Sequence, residues 1–193
     1  MPTLELSRVR DLLEPFYPRV TETQTALLST YLDLLMKWNA RTNLTSIRDP
    51  EDIVRRHFGE SLFVVDHLPK CKTLLDLGSG AGLPGIPIQI ALPDLHVTLA
   101  ESQNKKAVFL REVVRTLKLN TQIWASRVED MPPRRSFDVV TLRAVDSPDI
   151  ALEAAYQRLT SGGTIAHLTS HAEGHATCIP LPGATRTCLH LIR

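Results

Sequence analysis

Apolar side chains recur every three or four positions at Leu27, Leu28, Tyr31, Leu34, Leu35 and Trp38, the spacing of a helix that buries one face. Thr21 and Gln24 stand ahead of this run as a capping box, hydroxyl and amide each satisfying one free N–H of the first turn. Asp49-Pro50 marks a second helix start, with the aspartate as cap and the proline, which has no N–H to satisfy, in the first turn. That helix is expected to reach about Leu68, ahead of Pro69. From Thr73 onward the rhythm changes to short apolar runs. Runs at Thr73 to Leu77, Val97 to Ala100, Gln122 to Ala125, Asp138 to Leu142 and Thr164 to Leu168 predict strands, with helices at Ile86 to Leu92, Asn104 to Leu117 and Pro148 to Leu159. Strand-helix alternation predicts a parallel sheet covered on both faces. The chain thus divides into an N-terminal helical extension, residues 1–70, and a Rossmann-like α/β core, residues 71–193, within one compact unit.

With 193 residues, 43% of them hydrophobic, the chain can bury one substantial core. No apolar run approaches the roughly 20 residues that span a bilayer, and the charged residues among the leucines of Met1 to Arg10 do not form a signal-peptide core. Cys71, Cys178 and Cys188 look too few and scattered for a disulfide framework or a zinc site, which suits a reducing cytoplasm. The net charge of +1 leaves nucleic acid open, because binding depends on a local basic face. His171 and His175 are spaced i,i+4 with Cys178 nearby, but Gly174 between them and the lack of a fourth ligand favour a loop over a metal site.

The chemistry concentrates in Asp76-Leu77-Gly78-Ser79-Gly80-Ala81-Gly82-Leu83-Pro84-Gly85-Ile86-Pro87. A strand, a glycine-rich turn and a helix in that order hold nucleoside cofactors, because glycine permits positive φ and close backbone approach. Glu101 follows the second strand, about 20 residues beyond the glycines, where a carboxylate accepts from ribose hydroxyls. A dinucleotide would need free N–H groups at the helix start for its pyrophosphate, and Pro84 and Pro87 offer none. Asp76 would repel phosphate and suits a sulfonium and an amino group instead. S-adenosylmethionine is therefore the expected cofactor.

Ligands of such sheets sit beyond the carboxyl ends of the strands. That rule gathers Gly78, Glu101, Arg127-Val128-Glu129 and Arg143 at one crevice. Backbone groups at Val128 and Glu129 can read an adenine edge, although Glu129-Asp130 also fits a solvated acidic turn. Arg143 directly follows the apolar run Val139 to Leu142 and needs a partner, either a structural ion pair or a ligand. As a ligand-side group it would hold the cofactor or target nucleotide through charge-assisted hydrogen bonds, and it is the one candidate for a catalytic role. Arg55, Arg56 and His57, near Asn43 and Arg48, fit an RNA-guiding cluster; Arg56 and Glu60 also fit an i,i+4 surface pair. Lys105, Lys106, Arg111, Arg115 and Lys118 read as a solvated helix face.

The glycine loop with its Leu83-Pro84-Gly85-Ile86-Pro87 extension, together with Lys37-Trp38-Asn39, Asn43 to Pro50, Arg56-His57, Ser61-Leu62, Ser102, Lys105, Phe109-Leu110, Arg127-Val128-Glu129 and Arg143-Ala144, resembles the RsmG (GidB) family. This family comprises bacterial guanine-N7 methyltransferases of small-subunit ribosomal RNA, and the resemblance covers about Leu28 to Gly163. It implies a class I methyltransferase fold with a mostly parallel seven-stranded sheet. It also implies that Gly78, Leu83, Val128, Glu129 and Arg143 line an S-adenosylmethionine pocket, with Glu101, Ser102 and Gln103 at the ribose; the glycine motif itself adds Asp76 and Gly80 as cofactor-binding candidates. Asn43, Arg56 and His57 become substrate-side candidates, 16S ribosomal RNA or the 30S subunit the partner, and a cytoplasmic monomer without membrane attachment the expected state. Guanine N7 carries a lone pair and no proton, so alignment and water exclusion suffice without a general base.

Three other readings remain open: a small-molecule methyltransferase of the same fold, a catalytically silent RNA-binding module, and a dinucleotide oxidoreductase. The chain departs from the family pattern at Leu168-Thr169-Ser170, where Leu-Lys-Gly is usual, and at Glu60, where aspartate is usual. Arg134 and Arg135 are candidates to replace the missing charge. The tail is short for a helix and hairpin, although Ala176 to Ile179 and Thr187 to Ile192 can pair as strands.

Overall fold

A computed structural model describes residues 2–144, 147–169, 178–183 and 187–193. Helices α1 (Leu6–Leu13) and α2 (Glu22–Asn39) come first. Thr21 Oγ1 accepts from the Gln24 N–H at 3.2 Å and Gln24 Oε1 from the Thr21 N–H at 3.0 Å, the expected capping box. Asp49 Oδ1 caps the next helical run, accepting from the Asp52 N–H at 2.9 Å. That run has three pieces: α3 (Pro50–Asp52), a π-helical stretch (Ile53–Gly59) and α4 (Glu60–Val65). It ends three residues short of the expected Leu68.

The remainder alternates β1 (Thr73–Leu77), α5 (Gly85–Ala91), β2 (His96–Ala100), α6 (Asn104–Leu117), β3 (Thr121–Trp124), β4 (Phe137–Arg143), α7 (Pro148–Tyr156) and β5 (Leu159–Thr169), followed by β6 (Cys178–Pro180) and β7 (Cys188–Ile192). The strands form one seven-stranded sheet in the order β3-β2-β1-β4-β5-β7-β6. β1 to β5 pair in parallel, and β7 runs antiparallel to both β5 and β6. β1 is flanked by β2 and β4, so the strand order reverses there, and a crevice opens beyond its carboxyl end.

Further expectations need correction, among them the strand foreseen from Thr164, which begins already at Leu159. The helix foreseen to Leu159 stops at Tyr156, because β5 begins at Leu159 and pairs with Phe137 of β4. Cys178 and Cys188 form a disulfide with Cα atoms 5.7 Å apart; antiparallel pairing of β6 and β7 brings together residues that look scattered in the sequence. Cys71 is the free cysteine. His171 and His175 lie outside the described residues, as do Ala176 and Thr177 of the expected tail strand.

The N-terminal helices share a core with one face of the sheet. Leu28, Leu32 and Leu35 of α2, Phe58 of the π-helical stretch and Leu62 of α4 join Leu74, Ile86, Leu99 and Phe109 in one buried cluster. A second cluster on the opposite face joins Leu75, Val140 and Ile165 to Ala151, Ala154 and Ala155 of α7. Alternate residues of the same strands serve the two faces. Among the described residues no helix is long and apolar enough to cross a membrane.

Candidate active site

The loop after β1 turns through positive φ at Gly78 (70°) and Gly80 (56°), conformations that side chains oppose. A Cβ placed on Gly78 would meet nothing within 4 Å and would stand in an open cavity of about 610 Å³ that this loop lines. At Gly85 the reason for glycine is different. A Cβ there would lie 2.4 Å from Leu99 and 2.8 Å from Asp76 Oδ2, so its absence lets α5 start directly against β1 and β2.

Asp76 is buried beneath this loop. Its Oδ2 accepts from the Gly85 N–H at 3.1 Å and its Oδ1 from the Thr141 hydroxyl at 2.8 Å. Burial raises its pKa to about 6, against the hydrogen bonds from Thr141, Ser79 and Gly85. The expected cofactor ligand is thus a clamp that joins the loop to β4, and it does not line the cavity. Tyr31 adds a second clamp: fully buried and stacked on Phe58 at 4.8 Å, it donates its hydroxyl to the Ala81 carbonyl. The sequence marked Tyr31 only as an apolar helix position; no motif signals its polar end.

Glu101 holds the opposite lip. Its Oε2 accepts from the Gly80 N–H at 2.9 Å and its Oε1 from the Gln103 N–H at 2.7 Å. The carboxylate therefore ties the glycine loop to the start of α6 and still lines the cavity with Ser102 and Gln103. Leu83, Val128 and Glu129 complete this wall. A smaller depression of about 240 Å³ adjoins it, sharing Gly78, Glu101, Ser102, Val128 and Glu129. Arg158 supports that rim by donating to the Pro132 carbonyl at 2.9 Å and the Glu129 carbonyl at 3.4 Å.

Arg143 lines the same cavity, but its guanidinium serves the protein. Nη2 pairs with Glu60 Oε2 at 2.7 Å and donates to the Arg56 carbonyl at 2.5 Å, while Nη1 donates to the His57 carbonyl at 3.2 Å. Of the two readings the sequence left open, the structural ion pair describes this side chain. A π-helical turn displaces carbonyls from the α-helical ladder and is frequent at functional sites; here it offers Arg56 and His57 carbonyls to one arginine. Glu60 consequently pairs with Arg143 and not with Arg56. Burial raises the Glu60 pKa, against the attraction of Arg143 and Arg56, and burial lowers that of Arg143, against Glu60. Ala144 follows with φ of 49°, an uncommon conformation for a residue with a Cβ.

The facing wall comes from Leu44, Thr45, Ser46 and His57. Asn39, buried at the end of α2, shapes it: Oδ1 accepts from the Leu44 and Thr45 N–H groups at 2.9 and 3.1 Å, and Nδ2 donates to the Thr45 carbonyl at 3.0 Å. His57 Nε2 lies 2.7 Å from Thr45 Oγ1. Burial, with Arg143 and Arg56 adding to it, pushes the His57 pKa down to about 3, so the imidazole is neutral. Of the three substrate-side candidates only His57 lines the cavity. Asn43 accepts from Arg48 Nη2 at 3.1 Å, and Arg56 lines a separate depression with Phe16 and Gly183. Arg55 pairs with Glu51 and Asp52. Arg135 donates to Thr98 and Gln122, which engages it on the sheet.

A family model described as rRNA small subunit methyltransferase G, GidB, matches residues 24–177. The chain belongs to the GidB family. A relative named ribosomal RNA small subunit methyltransferase G from Chromobacterium violaceum is 46% identical over 143 residues, covering 74% of this chain and 68% of the relative. One of the same name from Salmonella schwarzengrund is 39% identical over 170 residues, covering 88% of this chain and 82% of its own length. Among solved structures, a ribosomal protein methylase from Lactobacillus delbrueckii subsp. bulgaricus matches with a TM-score of 0.58 at 13% identity, over 72% of this chain and 79% of that one. A glycopeptide N-methyltransferase, MtfA, complexed with sinefungin matches with a TM-score of 0.52 at 15% identity, over 71% of this chain and 66% of that one. At such identities these structures establish the fold, that of class I methyltransferases.

Proposed function

We propose that this GidB-family enzyme transfers a methyl group from S-adenosylmethionine to N7 of a guanine in 16S ribosomal RNA. The observation that carries the reading is that one cavity is lined both by the glycine loop with Glu101 and by the Leu44-Thr45-Ser46 segment with His57. Its volume, about 610 Å³, lies in the range of small-molecule sites.

The residues fit the cofactor. Gly78 and Gly80 leave the space that a side chain would fill, Glu101 accepts from ribose hydroxyls, and Ser102 and Gln103 edge the same sugar. The smaller depression beside Val128 and Glu129 takes adenine, with Leu83 packing against the nucleoside. When bound, S-adenosylmethionine supplies an electrophilic methyl on a sulfonium sulfur. The chain's own part is alignment: the walls hold the base in line with that methyl and exclude water, and no proton needs removing from N7. Arg143, itself part of the cavity lining, acts through its neighbours, fixing His57 and the π-helical turn against the sheet edge.

In this reading residues 1–70 supply the substrate-side wall and residues 71–193 the cofactor-side wall. The protein works as a cytoplasmic monomer on 16S RNA or the assembling 30S subunit. The test is incubation with labelled methyl donor and 30S subunits lacking the modification, followed by nucleoside mass spectrometry of the 16S RNA. N7-methylguanosine at one position is expected; label on another base, on protein alone or on small metabolites would overturn the assignment.

A further inference from the structure

We propose that the Thr45 hydroxyl is held as an obligate hydrogen-bond donor at the cavity wall, where it reads O6 of the target guanine and selects guanine over adenine. The inference rests on the guanine reading above and deepens it.

The argument follows the protons. Arg143 has donors only, and its Nη2, whose two hydrogens serve Glu60 and the Arg56 carbonyl, lies 3.2 Å from His57 Nδ1 and shares one of them with it; a proton on that ring nitrogen would face the guanidinium, so Nδ1 accepts. A neutral imidazole then carries its single proton on Nε2. Nε2 lies 2.7 Å from Thr45 Oγ1, and with its proton fixed it donates to the hydroxyl oxygen. The Ile47 N–H donates to the same oxygen at 3.2 Å. A hydroxyl oxygen has two lone pairs, and both are now taken. What Thr45 retains is its proton, on a residue that lines the cavity.

The remaining links keep this polarity from reversing. Glu60 holds Arg143 at 2.7 Å, fixing the guanidinium that sets the tautomer, and Asn39 fixes the backbone that carries Thr45. The order is Glu60, Arg143, His57, Thr45: three positioning residues and one that meets the substrate.

A donor-only hydroxyl suits one base edge. Guanine presents N7 and O6 as acceptors there, whereas adenine presents N7 and an N6 amine donor. N7 must stay open to the methyl group, which leaves O6 for Thr45. Adenine would set its amine against an oxygen with no lone pair to offer, and sites with a committed hydrogen-bonding group reject partners that leave it unpaired.

The test uses 30S subunits reconstituted on 16S RNA that carries, at the position the wild type methylates, either guanine or 2-aminopurine, which keeps N7 and lacks O6. Methyl transfer is measured under single-turnover conditions for the wild type, Thr45→Val and Thr45→Ser. The wild type is expected to favour guanine about tenfold, the factor typical of one hydrogen bond. Thr45→Val should lose about that factor on guanine and nothing further on 2-aminopurine, and Thr45→Ser should keep most of the guanine rate. Adenosylhomocysteine affinity by calorimetry should be unchanged in both variants. Thr45→Ala replaces the valine variant if that one does not fold. Equal losses on the two bases, or an unchanged guanine rate without the hydroxyl, would overturn the inference while leaving the proposed function standing. A wild type that methylates no guanine overturns both.

Discussion

Arg143 is the residue whose role depends most on what surrounds it. Its guanidinium is buried with Glu60, and each satisfies the other. Removing one partner of a buried pair typically costs about 3–5 kcal/mol, since a desolvated charge is left alone. Arg143→Ala is therefore expected to lose stability of that order in urea denaturation, and Arg143→Lys less, because lysine keeps the charge without the planar fork. A loss below about 1 kcal/mol, the scale of an exposed pair, would refute the bracing role. The sequence showed that an arginine ending a buried strand needs a partner. It did not show which one, because Glu60 sits 83 residues earlier in the chain and only the sheet's topology brings it near. Asp76 teaches the same: its place beside the glycine loop was legible, but its aim was not, because that depends on the Cβ missing at Gly85. His57 carries a pH prediction. Its folded pKa of about 3 is below the ordinary 6.5, so between those values the unfolded chain binds a proton that the folded chain refuses. This contribution to stability is complete above about pH 6.5 and declines on acidification toward pH 3, with a slope of at most about 1.4 kcal/mol per pH unit. Asp76 works in the opposite sense between 3.8 and about 6, since its folded form holds the proton more tightly. His57→Gln should therefore show a shallower acid loss than the wild type in urea midpoints measured from pH 7 to pH 5. Parallel curves would contradict the assignment.

Among elements, β1 and α6 fall where the apolar pattern put both of their ends, because a buried strand bounded by glycine and a helix begun by Asn104 and closed by Lys118 at φ of 53° have locally encoded limits. The capping signals at Thr21 and Asp49 were legible for the same reason, since cap and partner lie three residues apart. The π-helical stretch Ile53–Gly59 was not. Helical periodicity reports which face is buried; the widened turn answers to Arg143 and to Phe58 stacking on Tyr31, both set by tertiary packing. The tie between α2 and the glycine loop was equally hidden, and it can be tested. Tyr31→Phe keeps the stacked ring and removes the donor to the Ala81 carbonyl, leaving a buried acceptor unpaired at about 1–3 kcal/mol. We expect that loss in thermal or urea unfolding, together with weaker adenosylhomocysteine binding, because the same carbonyl belongs to the cofactor loop. Unchanged stability and affinity would show that the clamp is idle.

For the whole molecule, the sheet order places the reversal point at β1, and the elements that build the cavity converge there: the loop after β1, the ends of β2 and β4, the turn after β3, the segment joining α2 to α3, the π-helical stretch at His57, the first turn of α6 at Lys106, and α7 through Ile150, Ala151 and Ala154. Strand-helix alternation makes this crevice legible in the sequence alone. The pairing of the tail was only partly so, as the joining of Cys178 to Cys188 shows. A ligand that binds only the folded state stabilises it by about 2.7 kcal/mol at one hundred times its dissociation constant. Saturating adenosylhomocysteine should accordingly raise the unfolding midpoint, and NAD should leave it unmoved. The most direct test of the account is a crystal structure with adenosylhomocysteine. The account predicts its ribose on Glu101, its adenine beside Val128 and Glu129, and its sulfur facing the wall of Thr45 and His57; an empty cavity, or the ligand bound elsewhere, would contradict it.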